Sequence, residues 1–190
     1  DETVTKKLDR RHPHDEKNII MGQNSTGVGD LFQTGDIMNT MLKDIFTDVN
    51  IYDDQVRLLQ RPFTSPIGRG AISFYRFYIE DTVQVEKDSC IHLHFLPNNM
   101  QDFGFRGDIY ILKDSSYQVK RCDLSIPRQS DVNFVESMRV TQEFTQLPTG
   151  EWVLTTDDMV VEIEVLSFIQ RLIVVRNTRL TDYAFDELSD

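Results

Sequence analysis

Apolar and polar positions alternate with a period of two along much of the chain, most clearly from Gln101 to Pro127. A strand from Phe103 to Leu112, a turn through Lys113-Asp114-Ser115-Ser116 and a return strand from Tyr117 to Ile126 make a β-hairpin. Phe103, Phe105, Ile109 and Ile111 fall on one face, and Arg106, Asp108 and Tyr110 on the other. The flanks follow the same rule. Ala71–Glu80 sets Tyr75, Phe77 and Ile79 on one face, and Thr82–Glu86 is a second short run before Lys87-Asp88. Ser89–Leu96 places Ile91, Leu93 and Phe95 inward, with Cys90, His92 and His94 outward. Asn133–Gln146 gives Met138, Val140 and Phe144 opposite Arg139, Thr141, Glu143 and Thr145, and Pro148-Thr149-Gly150 turns the chain. Trp152–Leu166 returns with Met159, Val161, Ile163 and Val165 opposite Glu162 and Glu164, and Arg171–Thr181 is the last strand.

The pattern changes period once. Thr34 caps a helix over Asp36–Thr47, where Ile37, Met38, Met41, Leu42, Ile45 and Phe46 form one stripe. That stripe reads as core, against the rarer use of Met-rich surfaces for grasping variable partners. Tyr52–Gln60 is a short strand and Arg61–Gly70 a turn-rich joint with two prolines and two glycines. Residues 1–30 are polar and read as an extended arm, and residues 31–190 as one domain.

Strands of this length with short links predict a mainly β (α+β) fold, a curved antiparallel sheet of about eight strands with one principal helix on its concave face. Such a sheet is about 35–40 Å wide, whereas a helix with its side chains covers about 10–12 Å. The apolar face is thus broader than the helix. A half-barrel curling over the helix leaves an apolar cleft beside it, lined by Tyr75, Phe77, Ile91, Leu93, Phe95, Phe105 and Ile109, with Met38, Met41 and Ile45 closing one side.

At 190 residues the chain suits one domain, and 39% hydrophobic content fits a globular one. Its net charge of −11 argues against nucleic-acid backbones and anionic lipid surfaces as partners. No aliphatic run exceeds Leu172-Ile173-Val174-Val175, far short of a membrane-spanning helix. The start at Asp1 without methionine is expected of a processed or excised piece. In a simple meander Cys90 and Cys122 have one strand between them, about 9–10 Å apart, which is too far for a disulfide. Free, packed thiols are expected.

Chemistry is sparse. His92 and His94 share one face of a strand, as a metal site requires, yet no Cys or carboxylate is fixed beside them by spacing. A solvated or cross-strand-paired role is expected for both. His12 and His14 lie in the arm. Gly104-x-x-Gly107 lacks the Lys-Ser/Thr of a phosphate loop and reads as relief for a twisted or bulged strand. Asp157-Asp158 and Glu162/Glu164 read as solvated carboxylates of an acidic chain. No catalytic constellation, metal site or cofactor is expected.

Longer words carry a resemblance. DRRHPH (Asp9–His14), IMGQNSTGVGDLF (Ile20–Phe32), LKDIFTDVNIYD (Leu42–Asp53), PFTSPIGRGAISFYRFYIEDTV (Pro62–Val83), QDFGFRGDIYI (Gln101–Ile111) and NFVESMRVTQEF (Asn133–Phe144) occur in this order. Together they resemble an uncharacterised outer-membrane protein family, labelled as a domain of unknown function in carboxypeptidase regulatory-like domain-containing proteins. The resemblance implies a soluble middle segment at the periplasmic face of the outer membrane, between a regulatory-like β-sandwich and a membrane β-barrel. It carries no catalytic residues. The hairpin pattern is also similar to lipoprotein-carrier-like half-barrels that hold acyl chains. The expected function is therefore non-enzymatic binding of an apolar, lipid-like ligand or a partner chain. An architectural spacer between the flanking domains is the alternative, and a metal-dependent hydrolase around His92 and His94 a third, weaker one.

Overall fold

The computed structural model describes residues 2–11, 14–24, 47–58, 61–126, 135–166 and 170–185. The helix expected over Asp36–Thr47, with Met38, Met41 and Ile45, lies outside the described residues except for Thr47. The chain divides into two compact units, one of residues 44–182 and one of residues 1–43 with 183–190. In the smaller unit β1 (Glu2–Arg11) and β2 (His14–Asn24) form an antiparallel hairpin, with Lys7 Nζ 3.2 Å from Glu16 Oε1.

The larger unit is built on a meander. Strands β5 (Tyr75–Val85), β6 (Asp88–Pro97), β7 (Arg106–Leu112), β8 (Val119–Ile126), β9 (Val135–Gln146), β10 (Trp152–Leu166) and β11 (Gln170–Arg179) lie side by side in sequence order. Every pair is antiparallel, and the seven-stranded sheet is open, with β5 and β11 at its ends. The mainly β, antiparallel expectation holds. Register shifts at Ile79/Asp81, Tyr110/Ile111, Leu154/Thr156 and Glu162/Ile163 are bulges, which raise the local twist and bend the sheet.

The period-of-two reading survives in the register. Phe95, Ile109, Cys122, Leu124, Met138, Val140, Met159 and Val161 are buried on one face. Cys90 keeps the face of His92 and His94 and is a packed thiol there, as expected of both cysteines. It is fully buried, paired across the sheet with Val83 and Leu112 near the β5–β6 turn. Both cysteines are free, on strands with β7 between them.

A second hairpin roofs part of the apolar face. β3 (Gln55–Leu58) pairs with β4 (Arg61–Thr64), so the first four residues of the expected joint are a strand. Pro62 is tolerated because this hairpin has free edges. Val49, Ile51, Val56, Leu58 and Phe63 are buried. Phe63 stacks on Phe105 at 4.9 Å, and Tyr52 meets Phe144 edge-on at 5.5 Å.

Two other local expectations change. Residues 71–74 form one helical turn, α1 (Ala71–Phe74), because the preceding turns Ser65–Gly68 and Gly68–Ala71 already coil the chain. The expected runs Ala71–Glu80 and Thr82–Glu86 are then one strand, β5, interrupted only by its bulge. The hairpin turn after β7 is also longer than four residues. Asp114 Oδ1 accepts from the Ser116 amide at 2.8 Å, and Tyr117 takes φ 49°. Among the described residues no helix is long and apolar enough to cross a membrane.

Candidate functional site

The seven sheet residues expected to line an apolar cleft do share one face, but they divide into two groups. Tyr75, Phe95, Phe105 and Ile109 are fully packed. Tyr75 is an anchor within this group. Its hydroxyl donates to the Thr64 carbonyl at 2.6 Å and accepts from the Phe105 amide at 3.2 Å, tying the end of β4 to the segment that leads into β7. Its ring meets Phe95 edge-on at 5.2 Å. Burial pushes the Tyr75 phenol well above its usual range, so it stays a neutral donor.

Phe77, Ile91 and Leu93 are only half-buried. Beside them Ile79, opposite Leu93 in the register, is 78% exposed. A half-covered apolar strip therefore runs along β5 and β6, next to the filled centre. The sequence sets Ile79 on one face with Tyr75 and Phe77 but does not reveal its exposure. Exposure follows from its place on the end strand, where a neighbour covers only one side.

The opposite face is polar and closely paired. His92 Nε2 and His94 Nδ1 both meet Asp108 Oδ1, at 2.7 and 3.1 Å. This is the cross-strand pairing expected of the histidines, with a partner on β7 that spacing alone did not supply. His92 stacks on Tyr110 at 4.8 Å, and the Arg121 guanidinium lies 5.9 Å from the same ring. Arg121 chelates Asp123 through Nε (2.9 Å) and Nη2 (3.2 Å), and Nη1 reaches Glu143 at 3.4 Å. Thr141 Oγ1 donates to Asp123 at 2.7 Å. Burial, with Asp123 and Asp108 nearby, raises the Tyr110 phenol. A shallow, open depression of about 480 Å³ lies here, lined in part by His92, Tyr110 and Arg121. Among the described residues no three His, Cys, Asp or Glu side chains form a metal cluster.

Asp157 corrects the sequence reading. It is buried, with Arg176 Nη2 at 2.5 Å and Gln142 Nε2 at 3.0 Å. Gln142 Nε2 also donates to the Val49 carbonyl at 2.7 Å, and Arg176 Nη1 to that of Thr47 at 3.1 Å. These bonds pin the start of the roof to β9 and β11. Burial pushes the Asp157 carboxyl up, against the pull of Gln142 and Arg176. Its parity with Met159 was a usable signal, outweighed by the acidic composition. Asp158, on the other face, pairs with Arg179.

Glycines mark close approaches. A Cβ on Gly107 would lie 1.8 Å from the Asp123 carbonyl oxygen, and one on Gly104 2.6 Å from the Phe74 ring. The expected relief of strand geometry is thus a steric need.

An open antiparallel meander, roofed over part of one face and ion-paired across the other, defines a mainly β domain without a helical layer among its described residues. The chain belongs to a family of unknown function, DUF5686, which matches residues 4–178. No curated protein and no solved structure matches it.

Proposed function

We propose that this is a non-enzymatic binding domain whose apolar strip along β5 and β6 receives an apolar, lipid-like ligand or an apolar segment of a partner chain. The single observation that carries the reading is Ile79, 78% exposed beside half-buried Phe77, Ile91 and Leu93. Leaving an aliphatic side chain of this size in water forgoes about 1.5–3 kcal/mol that burial would supply. A ligand or partner that covers the strip recovers it. On this reading the domain works at the periplasmic face of the outer membrane, as part of a longer protein. The support for that location is the resemblance of its long sequence words.

A specific observation favours a second reading, an architectural spacer. The centre of the apolar face is filled by Phe63, Tyr75, Phe95 and Phe105. The two separate by experiment. The binding reading expects a fluorescent fatty-acid analogue to gain emission with the wild-type chain and to lose most of it with Ile79→Asp. Native mass spectrometry of the purified chain should also show co-purified lipid. Equal emission from both chains, or none from either, favours the spacer.

A further inference from the structure

β5 ends the sheet at one side, is eleven residues long, and carries exposed Arg76, Tyr78, Ile79 and Glu80. Among the described residues no strand pairs with this edge, and such an edge is a template for another strand. The run Arg76-Phe77-Tyr78-Ile79-Glu80 is symmetric in character about Tyr78, except that its two ends carry opposite charges. Antiparallel pairing with itself turns that exception into complementarity.

We propose that β5 pairs antiparallel with β5 of a second copy of this chain, about a two-fold axis through Tyr78. In this register Arg76 of each copy stands opposite Glu80 of the other, Phe77 opposite Ile79, and Tyr78 opposite Tyr78. Directly opposed residues share a face. The two Phe77–Ile79 pairs therefore extend the apolar strip of Leu93 and Phe95, and the two Arg76–Glu80 pairs and the tyrosines extend the polar face. A slip of one residue would set the apolar face of one copy beside the polar face of the other. A slip of two would lose both ion pairs. Only the Tyr78 register satisfies charge and face together.

The bulge between Ile79 and Asp81 falls on Glu80, which has no partner on β6, so regular pairing runs from Arg76 to Ile79 and Glu80 meets Arg76 of the other copy from the bulge. It also sets Asp81 next to Glu80, a second carboxylate near the incoming Arg76. Arg76 Nε donates to Asn98 Oδ1 at 3.1 Å, just beyond the end of β6. So short a pairing buries less area than a standard stable interface, and the dimer is weak. Its two-fold symmetry closes it, giving a dimer and no filament. Because Phe77 and Ile79 belong to the strip, this names one partner for the function proposed above and rests on that reading.

Sedimentation equilibrium tests it with the wild-type chain, Arg76→Glu, Glu80→Arg and an equimolar mixture of the two variants. The wild type should dimerise by about 100 µM, and each variant should weaken this about tenfold by setting like charges opposite each other. In the mixture both ion pairs are restored between unlike chains, so the dimer should return. A monomeric wild type, variants that dimerise as well as the wild type, or a mixture that stays monomeric would each overturn the proposal. A monomer that still brightens the fatty-acid analogue would end the dimer and keep the strip. A rescued dimer that never brightens it would keep the dimer and end the lipid ligand.

Discussion

Phe63 on β4 lies over Phe105 just before β7, ring centroids 4.9 Å apart and planes inclined by 29°, with neither ring reaching solvent. The pair holds the roof hairpin on the sheet. Truncation by Phe63→Ala removes a buried ring and is expected to cost about 3–5 kcal/mol. Urea unfolding should show a lower midpoint with an unchanged slope. A loss under about 1 kcal/mol would mean that the roof is held elsewhere.

Gly107 and Gly150 should respond differently to alanine. At Gly107 the new methyl meets the Asp123 carbonyl at 1.8 Å, so strands β7 and β8 must part. Gly150 has φ +105° and open space around it, so its cost is backbone strain alone. Thermal unfolding should place Gly150→Ala about 1–3 kcal/mol below wild type, and Gly107→Ala lower still or unfolded. The reverse order would contradict the register.

Asp157 and Arg176 are a buried pair on neighbouring strands, their side chains 6% and 11% exposed. Asp157→Leu alone breaks this buried ion pair from one side and is expected to cost about 3–5 kcal/mol. The double variant Asp157→Leu/Arg176→Met removes both charges and should be more stable than Asp157→Leu. Chemical denaturation of the three chains decides it. If the double variant were the weaker, Arg176 would be stabilising through partners other than Asp157, the Thr47 carbonyl among them.

Burial pushes the Cys122 thiol up, and the Cys90 thiol in the same direction. In the unfolded chain both ionise at about pH 8.5. The folded chain keeps those protons, so above that pH the unfolded state binds fewer. Stability is whole below that point and falls as pH rises through the window up to the folded value, by up to about 1.4 kcal/mol per pH unit for each thiol. Tyr75 adds the same sign at higher pH. Denaturation curves from about pH 8 to 10 should show a shallower alkaline loss in Cys122→Ala than in wild type. Alkylation of both thiols should await denaturant.

Strands with a buried and a solvated face were legible because a period of two writes both faces into the sequence. The hairpin faces of Phe105/Ile109 and Asp108/Tyr110, and those of β6, β9 and β10, follow from that alone. Segment 47–74 was not legible in the same way. Its strands are four residues long, one contains Pro62, and its burial comes from distant partners such as Phe105, Phe144 and Gln142. Partners across the sheet escaped for the same reason. The Asp108 link to His92 and His94 and the Arg176 link to Asp157 depend on the register between two strands, which the spacing within one strand does not give. Within the site, the sequence supplied the shared face of Phe77, Ile79, Ile91 and Leu93. Which of them stay uncovered depends on where the roof ends.

Each strand of the main sheet touches the one before it in the chain, whereas the Gln142–Val49 bond joins residues 93 apart. Short closures cost little chain entropy and are reached early, and long ones come late. The meander can therefore assemble first and wait, its greasy side bare, until the roof segment settles on it. Substitutions at Ile109 should then slow refolding, while those at Phe63 mainly speed unfolding, in stopped-flow kinetics. The interval before closure is when this chain is most open to capture by other apolar surfaces.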